Sequence, residues 1–206
     1  MFVKNIIKDM WPSIWPMITF ISVVVITLRL FYLFKGSRKF SLYKEILSLV
    51  FIVYILCLYY VLIAQDNGIK GGVNLIPFKE MFRYTFGSYK FMKNVVGNII
   101  LFIPFGFLSS YFLNNKKAST MFLTSLIISF CAEGIQYYVG RVFDIDDIIL
   151  NVLGSFLGYL LYIGITAIKN KLPKFMRSDA FINVVVIIVV VLLVLFSLGI
   201  NIFSYL

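Results

Sequence analysis

Residues 148–168 read IILNVLGSFLGYLLYIGITAI, an apolar run without one charged side chain. A helix needs roughly 20 such residues to cross the hydrocarbon core of a bilayer. Within the run Asn151, Gly154 and Gly158 fall on one helical stripe, with Ser155 beside it, and Asp144 and Asp147 extend that stripe toward the N-terminus. The Gly154-x-x-x-Gly158 spacing lets a second helix approach closely. The two acids stand where a helix N-terminus favours negative charge. The stretch thus predicts a membrane-crossing helix with a packing face and a polar head.

Composition extends that reading to the whole chain. Hydrophobic residues make up 61% of the 206 and charged residues 14%, against about 45–50% and 25% in globular proteins. A soluble domain of this size has too little interior to bury so much apolar surface. Further uncharged runs are Ser13–Leu28 (continuing past Arg29 to Phe34), Ile46–Gln65 and Asn94–Asn115. Two more are Ala118–Ala132, continuing past Glu133 to Val139, and Ala180–Leu206. The expected fold is all-α: a single membrane domain over 1–206, a polytopic bundle of about six spans. Five of these make a core, and 180–206 adds a C-terminal transmembrane helix.

The first run is not read as a cleaved signal peptide. Trp11 and Trp15 mark its start, no small-residue cleavage site follows it, and its far end meets Arg29, Lys35, Arg38 and Lys39. The two indoles suit the water–lipid interface. Basic residues then set orientation. Lys35, Arg38, Lys39 and Lys44, then Lys116 and Lys117, then Lys169, Lys171, Lys174 and Arg177 occupy alternating loops and so share one side, the cytoplasmic one. This places both termini outside. It also accounts for the net charge of +10 as loop charge, so nucleic acid is not an expected partner.

The connection 66–93 is an outer amphipathic or re-entrant loop. Phe78, Met81, Phe82 and Thr85 follow helical spacing with Lys79, Glu80 and Arg83 opposite, which predicts a helix lying at the outer membrane surface. Gly71-Gly72 and Gly87-Ser88 punctuate it.

A charged side chain at a helix centre costs on the order of 2.5–3.5 kcal/mol, so polar residues in or near the spans are candidates for function. Glu133 and Gln136 share a helix face, as do Asn94 and Asn98. Pro104 deprives the Ile100 carbonyl of its helical donor and predicts a kink, with Gly106 relieving crowding. Under the orientation above, Arg83, Asn94, Asn98, Glu133, Gln136, Arg141, Asp144, Asp147 and Asn151 all reach the outer half. They would form a ligand site, or an ion-pair lattice in which Arg83 and Arg141 neutralise the acids, or both.

These blocks resemble the VanZ-like family. The resemblance is carried by Asn74-Leu75-Ile76-Pro77-Phe78, by Asn94-x-x-Gly97-Asn98-x-x-Leu101-Phe102-x-Pro104-Phe105-Gly106 and by Glu133-x-x-Gln136. Arg141-x-Phe143-Asp144-x-Asp146-Asp147 and Asn151-x-x-Gly154-x-x-x-Gly158 complete it. It covers roughly 45–168, which is taken as the family core. It implies a bacterial plasma-membrane protein whose founding member is associated with low-level resistance to the lipoglycopeptide teicoplanin, without remodelled cell-wall precursors.

Three functions compete. In the first, the outer cluster binds an amphiphile: a membrane lipid headgroup, a lipid-linked envelope precursor or a lipoglycopeptide, with Arg83 and Arg141 on its anionic group. In the second, the protein is an intramembrane enzyme on a lipid or cell-wall intermediate with Glu133 as acid or base, and Asp144, Asp147 and Asn151 would offer oxygen ligands to a divalent cation. The chain has no histidine and no cysteine or serine in a nucleophile context, so the catalytic residue is unassigned and neither cofactor nor metal is expected. In the third, the cluster is structural and the protein a scaffold. A channel or transporter has less support, because the charged residues gather at one level.

Overall fold

The computed structural model describes residues 41–64, 72–114 and 116–197, with isolated helical positions at 23, 26 and 27. The expected span Ser13–Leu28 and the N-terminal segment lie largely outside the described residues, as do positions 198–206 of the expected last helix. In chain order the elements are α1 (Leu42–Ala64), β1 (Gly72–Asn74), α2 (Tyr89–Phe112), α3 (Ala118–Tyr138), β2 (Val142–Asp144), α4 (Ile145–Lys171) and α5 (Asp179–Ser197). Among the described residues four helices are long and apolar enough to span a membrane: α1 over Leu42–Val61, then α2, α3 and α4. These four correspond to the expected runs Ile46–Gln65, Asn94–Asn115, Ala118–Val139 and Ile148–Ile168, and most of the first expected span and the end of the last lie outside the described residues.

Residues Tyr54–Ala167 form one compact unit, and the flanking chain forms another. In the flanking unit the starts of α1 and α5 are tied together. The Tyr43 backbone N–H donates to Asn183 Oδ1 at 2.9 Å, and Lys44 Nζ meets Asp179 at 2.9 Å.

The central unit is held by glycine contacts between α2 and α4. A Cβ on Gly106 would lie 1.9 Å from the Ser155 carbonyl oxygen, one on Gly154 2.2 Å from that of Ile99, and one on Gly158 2.0 Å from that of Ile103. Only hydrogen at these three positions allows the two backbones to touch, so the expected close-packing stripe has α2 as its partner. α2 passes through Pro104 as one helix, and the Tyr54 hydroxyl donates to the Leu101 carbonyl oxygen at 2.6 Å.

α3 turns its small and polar side inward. Met121, Ser125, Ser129, Ala132, Glu133 and Gln136 are buried, whereas Phe122, Leu123, Ile127 and Phe130 face outward. A helix in lipid gains little from hiding aliphatic groups, so packing and internal hydrogen bonds choose the inner face. Buried hydroxyls answer to main-chain carbonyls: Ser109 to Phe105, Ser110 to Gly106 and Ser155 to Asn151, at 2.6–2.9 Å.

The bundle carries one feature beyond helix. β1 and β2 pair as a short parallel ladder with Asn74 opposite Asp144, so the connections before α2 and before α4 meet at one end of the unit. Tyr159 and Tyr162 donate at the other end, to the Lys116 carbonyl and to Asn114 Oδ1. The loop between β1 and α2 is not the amphipathic helix expected over Phe78–Thr85. Residues 77–84 run as successive turns, and Phe78 takes a positive φ of 67°. The physical reason is a carboxylate from another element, described below, which takes the N–H groups a helix would have used.

Candidate functional site

The ladder delivers Asp144 to the start of α4, and hydrogen bonds radiate from there. Asp144 Oδ1 accepts from Asn74 Nδ2 at 2.9 Å and from the Asp146 N–H at 2.9 Å. The Asp144 N–H donates to Glu133 at 3.1 Å. With its amide nitrogen toward Glu133, Gln136 donates to that carboxylate at 2.7 Å, and its oxygen accepts from Arg141 at 2.7 Å. Asn98 Nδ2 donates to Asp147 at 2.6 Å. Four blocks of sequence thus converge: β1, the first half of α2, the end of α3, and the β2–α4 junction. Burial pushes the Asp144 carboxyl above its usual range, an effect opposed by the donors from Asp146 and Asn74.

Asp146 belongs to the Arg141-x-Phe143-Asp144-x-Asp146-Asp147 block but not to the expected ligand residues, and the structure gives it a role of its own. It is 1% exposed, and its carboxylate accepts the backbone N–H of Phe78 by a short bond, that of Glu80 at 2.8 Å and that of Met81 at 3.1 Å. A carboxylate holding three peptide donors replaces the helical hydrogen bonds of the loop and pins it against α4. Asp144 and Asp147 fit the stripe that helical spacing predicts. Asp146 lies off the stripe, and its targets are backbone groups that no side-chain pattern reveals.

Between the pinned loop and the helix ends lies a cleft of about 960 Å³. Of the expected ligand residues, Arg83, Asn94, Asn98, Arg141, Asp144 and Asp147 line it, as does Asn74. Glu133, Gln136 and Asn151 do not. They are 1%, 3% and 2% exposed and stand behind the lining, Glu133 and Gln136 bracing Asp144 and Arg141. Asn151 donates to Ser129 at 3.0 Å within the α3–α4 contact. The expected neutralisation of Glu133, Asp144 and Asp147 by Arg83 is also revised: Arg83 pairs with Glu80 in its own loop at 3.0 Å.

The remaining motif positions are structural. Phe78 gives its N–H to Asp146, Gly106, Gly154 and Gly158 serve the α2–α4 contact, and Pro104 lies within α2. Pro77 opens the turns and Gly97 follows the π-helical segment Met92–Val96. Lys90 and Lys93 line the cleft as well. Their signal was the i, i+3 spacing leading into Asn94, legible only once α2 is begun at Tyr89 rather than at Asn94. Among the described residues no group of three or more potential metal ligands assembles.

A family model described as VanZ/LLP1 matches residues 51–169. The chain is 29% identical over 133 residues to Protein VanZ of Enterococcus faecium, an alignment covering 64% of this chain and 76% of that protein. No solved structure matches it. The matched residues run from within α1 to the end of α4 and hold every side chain of the network above, and the protein is a multi-pass membrane protein that belongs to the VanZ/LLP1 family.

Proposed function

We propose that this protein binds an amphiphile in the cleft at the extracytoplasmic face of the bacterial plasma membrane, and that through this binding it contributes to lipoglycopeptide resistance of the teicoplanin type. The observation that carries the reading is a polar cleft bordered by exposed apolar side chains. Arg83, Arg141, Asn94 and Asn98 line it, while Leu75, Ile76, Phe82 and Phe86 on the same loop are 61–88% exposed. A headgroup would sit among the former while its chain met the latter and the surrounding lipid. Sidedness rests on the basic residues: Lys116 and Lys117 lie at the end of the unit away from the cleft, where cytoplasmic loops concentrate Lys and Arg.

Lipid headgroups, lipid-linked envelope precursors and lipoglycopeptides all combine an anionic or sugar-bearing head with an acyl tail, and all meet the outer leaflet. Glu133 supports the binding reading over acid–base catalysis, because it stands behind the lining and braces Asp144.

The test is drug susceptibility in a susceptible host expressing the chain, against teicoplanin and vancomycin, alongside two variants. Thr85→Trp places an indole at an exposed position of the cleft lining, and the double substitution Thr85→Trp/Asn98→Leu also removes a polar lining group. Protection selective for teicoplanin, lost in the variants at equal membrane abundance, is expected. Selective protection that survives in both variants would overturn the site, and equal protection against both drugs would overturn the amphiphile selectivity.

A further inference from the structure

The charges lining the cleft divide into those already engaged and those left over. The four acids are all engaged. Glu80 pairs with Arg83, Asp144 holds Asn74 and the Asp146 N–H, Asp146 holds three backbone N–H groups, and Asp147 holds Asn98. Of the cations, Arg83 is paired with Glu80, and Arg141 is held by Gln136. Lys90 and Lys93 also line the cleft, and neither ammonium group makes a hydrogen bond or ion pair among the described residues.

Their placement has a local cause. Ser88 accepts the Phe91 N–H at 3.2 Å and starts the helix. Met92–Val96 then continues as π-helix, a wider turn that is frequent at functional positions. Lys90, Lys93 and Asn94, spaced i, i+3 and i+4, all border the cleft. Two ammonium groups beside two amides, neither ammonium paired with a carboxylate among the described residues, favour an anionic ligand group.

We infer that Lys90 and Lys93 bind the phosphate or pyrophosphate group of the ligand, with Asn94 and Asn98 beside it. This deepens the reading above and rests on it: the amphiphile is a phosphate-bearing lipid, and the anionic group is held at α2 rather than chiefly by Arg83. Lysine binds phosphate as a mobile point charge, which suits a headgroup entering sideways from the leaflet. A phosphate dissolved in water shares the chemistry, so the experiment separates the two sources.

The full chain, purified in neutral maltoside micelles, is titrated calorimetrically with dihexanoyl phosphatidic acid, with dihexanoylglycerol of identical chains and no phosphate, and with inorganic pyrophosphate. Phosphatidic acid is expected to bind at least ten-fold more tightly than the diacylglycerol. The Lys90→Gln/Lys93→Gln variant is expected to lose at least ten-fold for phosphatidic acid and nothing for the diacylglycerol, with unchanged melting, while Lys79→Gln, off the lining, binds as the parent does. Equal affinity for the two lipids, or full affinity in the double variant, overturns the phosphate assignment and leaves amphiphile binding standing. Failure of both lipids to bind overturns the amphiphile reading. Pyrophosphate binding alone, sensitive to the double variant, would keep the lysines as the anion site and transfer the ligand to the aqueous phase.

Discussion

The Glu133 carboxylate on α3 accepts the backbone N–H of Asp144 at 3.1 Å, joining the end of one membrane helix to the start of the next. Gln136 lies on the same carboxylate and carries the contact to Arg141. Glu133→Gln keeps one acceptor oxygen for Asp144, whereas Glu133→Leu leaves Asp144 N–H and the Gln136 amide buried without it. A buried unsatisfied group costs about 1–3 kcal/mol. The leucine variant should therefore melt well below the glutamine variant in detergent. Equal melting of the two would mean that this contact does not hold the helices.

Asp146 makes a sharper prediction, because its partners are all main chain. Asp146→Ala frees the N–H groups of Phe78, Glu80 and Met81, and hydrogen bonds to a charged group contribute about 1.5–3 kcal/mol. Amide exchange at those three positions should speed up and proteolysis within the loop should follow, while exchange in α3 stays slow. Unchanged protection of the loop amides would rule out the tether.

Glycine substitutions separate contact from composition. Gly106→Ala and Gly158→Ala place a methyl group about 2 Å from the carbonyl oxygens of Ser155 and Ile103, and overpacking of this kind costs about 1–3 kcal/mol or more. Gly164→Ala meets nothing within 4 Å and should fold as the parent does. The thermal melts of the three variants in one detergent decide it, and a Gly158→Ala protein as stable as Gly164→Ala would exclude the close crossing.

Sidedness can be read chemically. Tyr89 is 62% exposed at the cleft end and Lys116 is exposed at the opposite end. In intact cells of a Cys57→Ser/Cys131→Ser background, Tyr89→Cys should react with an impermeant thiol reagent and Lys116→Cys should not. The reverse labelling would invert the orientation.

A pH dependence follows from Asp144, whose carboxyl is raised above its ordinary value of 3.8 by burial. Between the unfolded and the native pKa the native state keeps a proton that the unfolded chain has released. Stability therefore falls as pH rises through that window, and the whole cost is present above the native value. Asp144→Asn retains the oxygen that accepts from Asn74 and Asp146 and cannot ionise, so its melting should vary less as pH rises above the ordinary carboxylate value. An identical slope in parent and variant would assign the dependence elsewhere.

Hydropathy and residue spacing were enough to give the membrane class, the positions of α1 to α4 within a few residues, and the packing role of Gly154 and Gly158. Each depends on uninterrupted hydropathy or helical spacing, which one segment carries alone. The sequence also singled out Asn94, Asn98, Arg141, Asp144 and Asp147 as neighbours, because a polar group in a span is costly enough to be noticed. Tertiary structure alone decided that Asn74 sits opposite Asp144, that Asp146 turns an expected loop helix into pinned turns, and that Glu133 braces the lining rather than facing the cleft. Those relationships join residues more than ten positions apart through backbone donors, and a backbone N–H is the same at every position of a sequence except proline. Which carboxylate it meets is settled only when the helices pack.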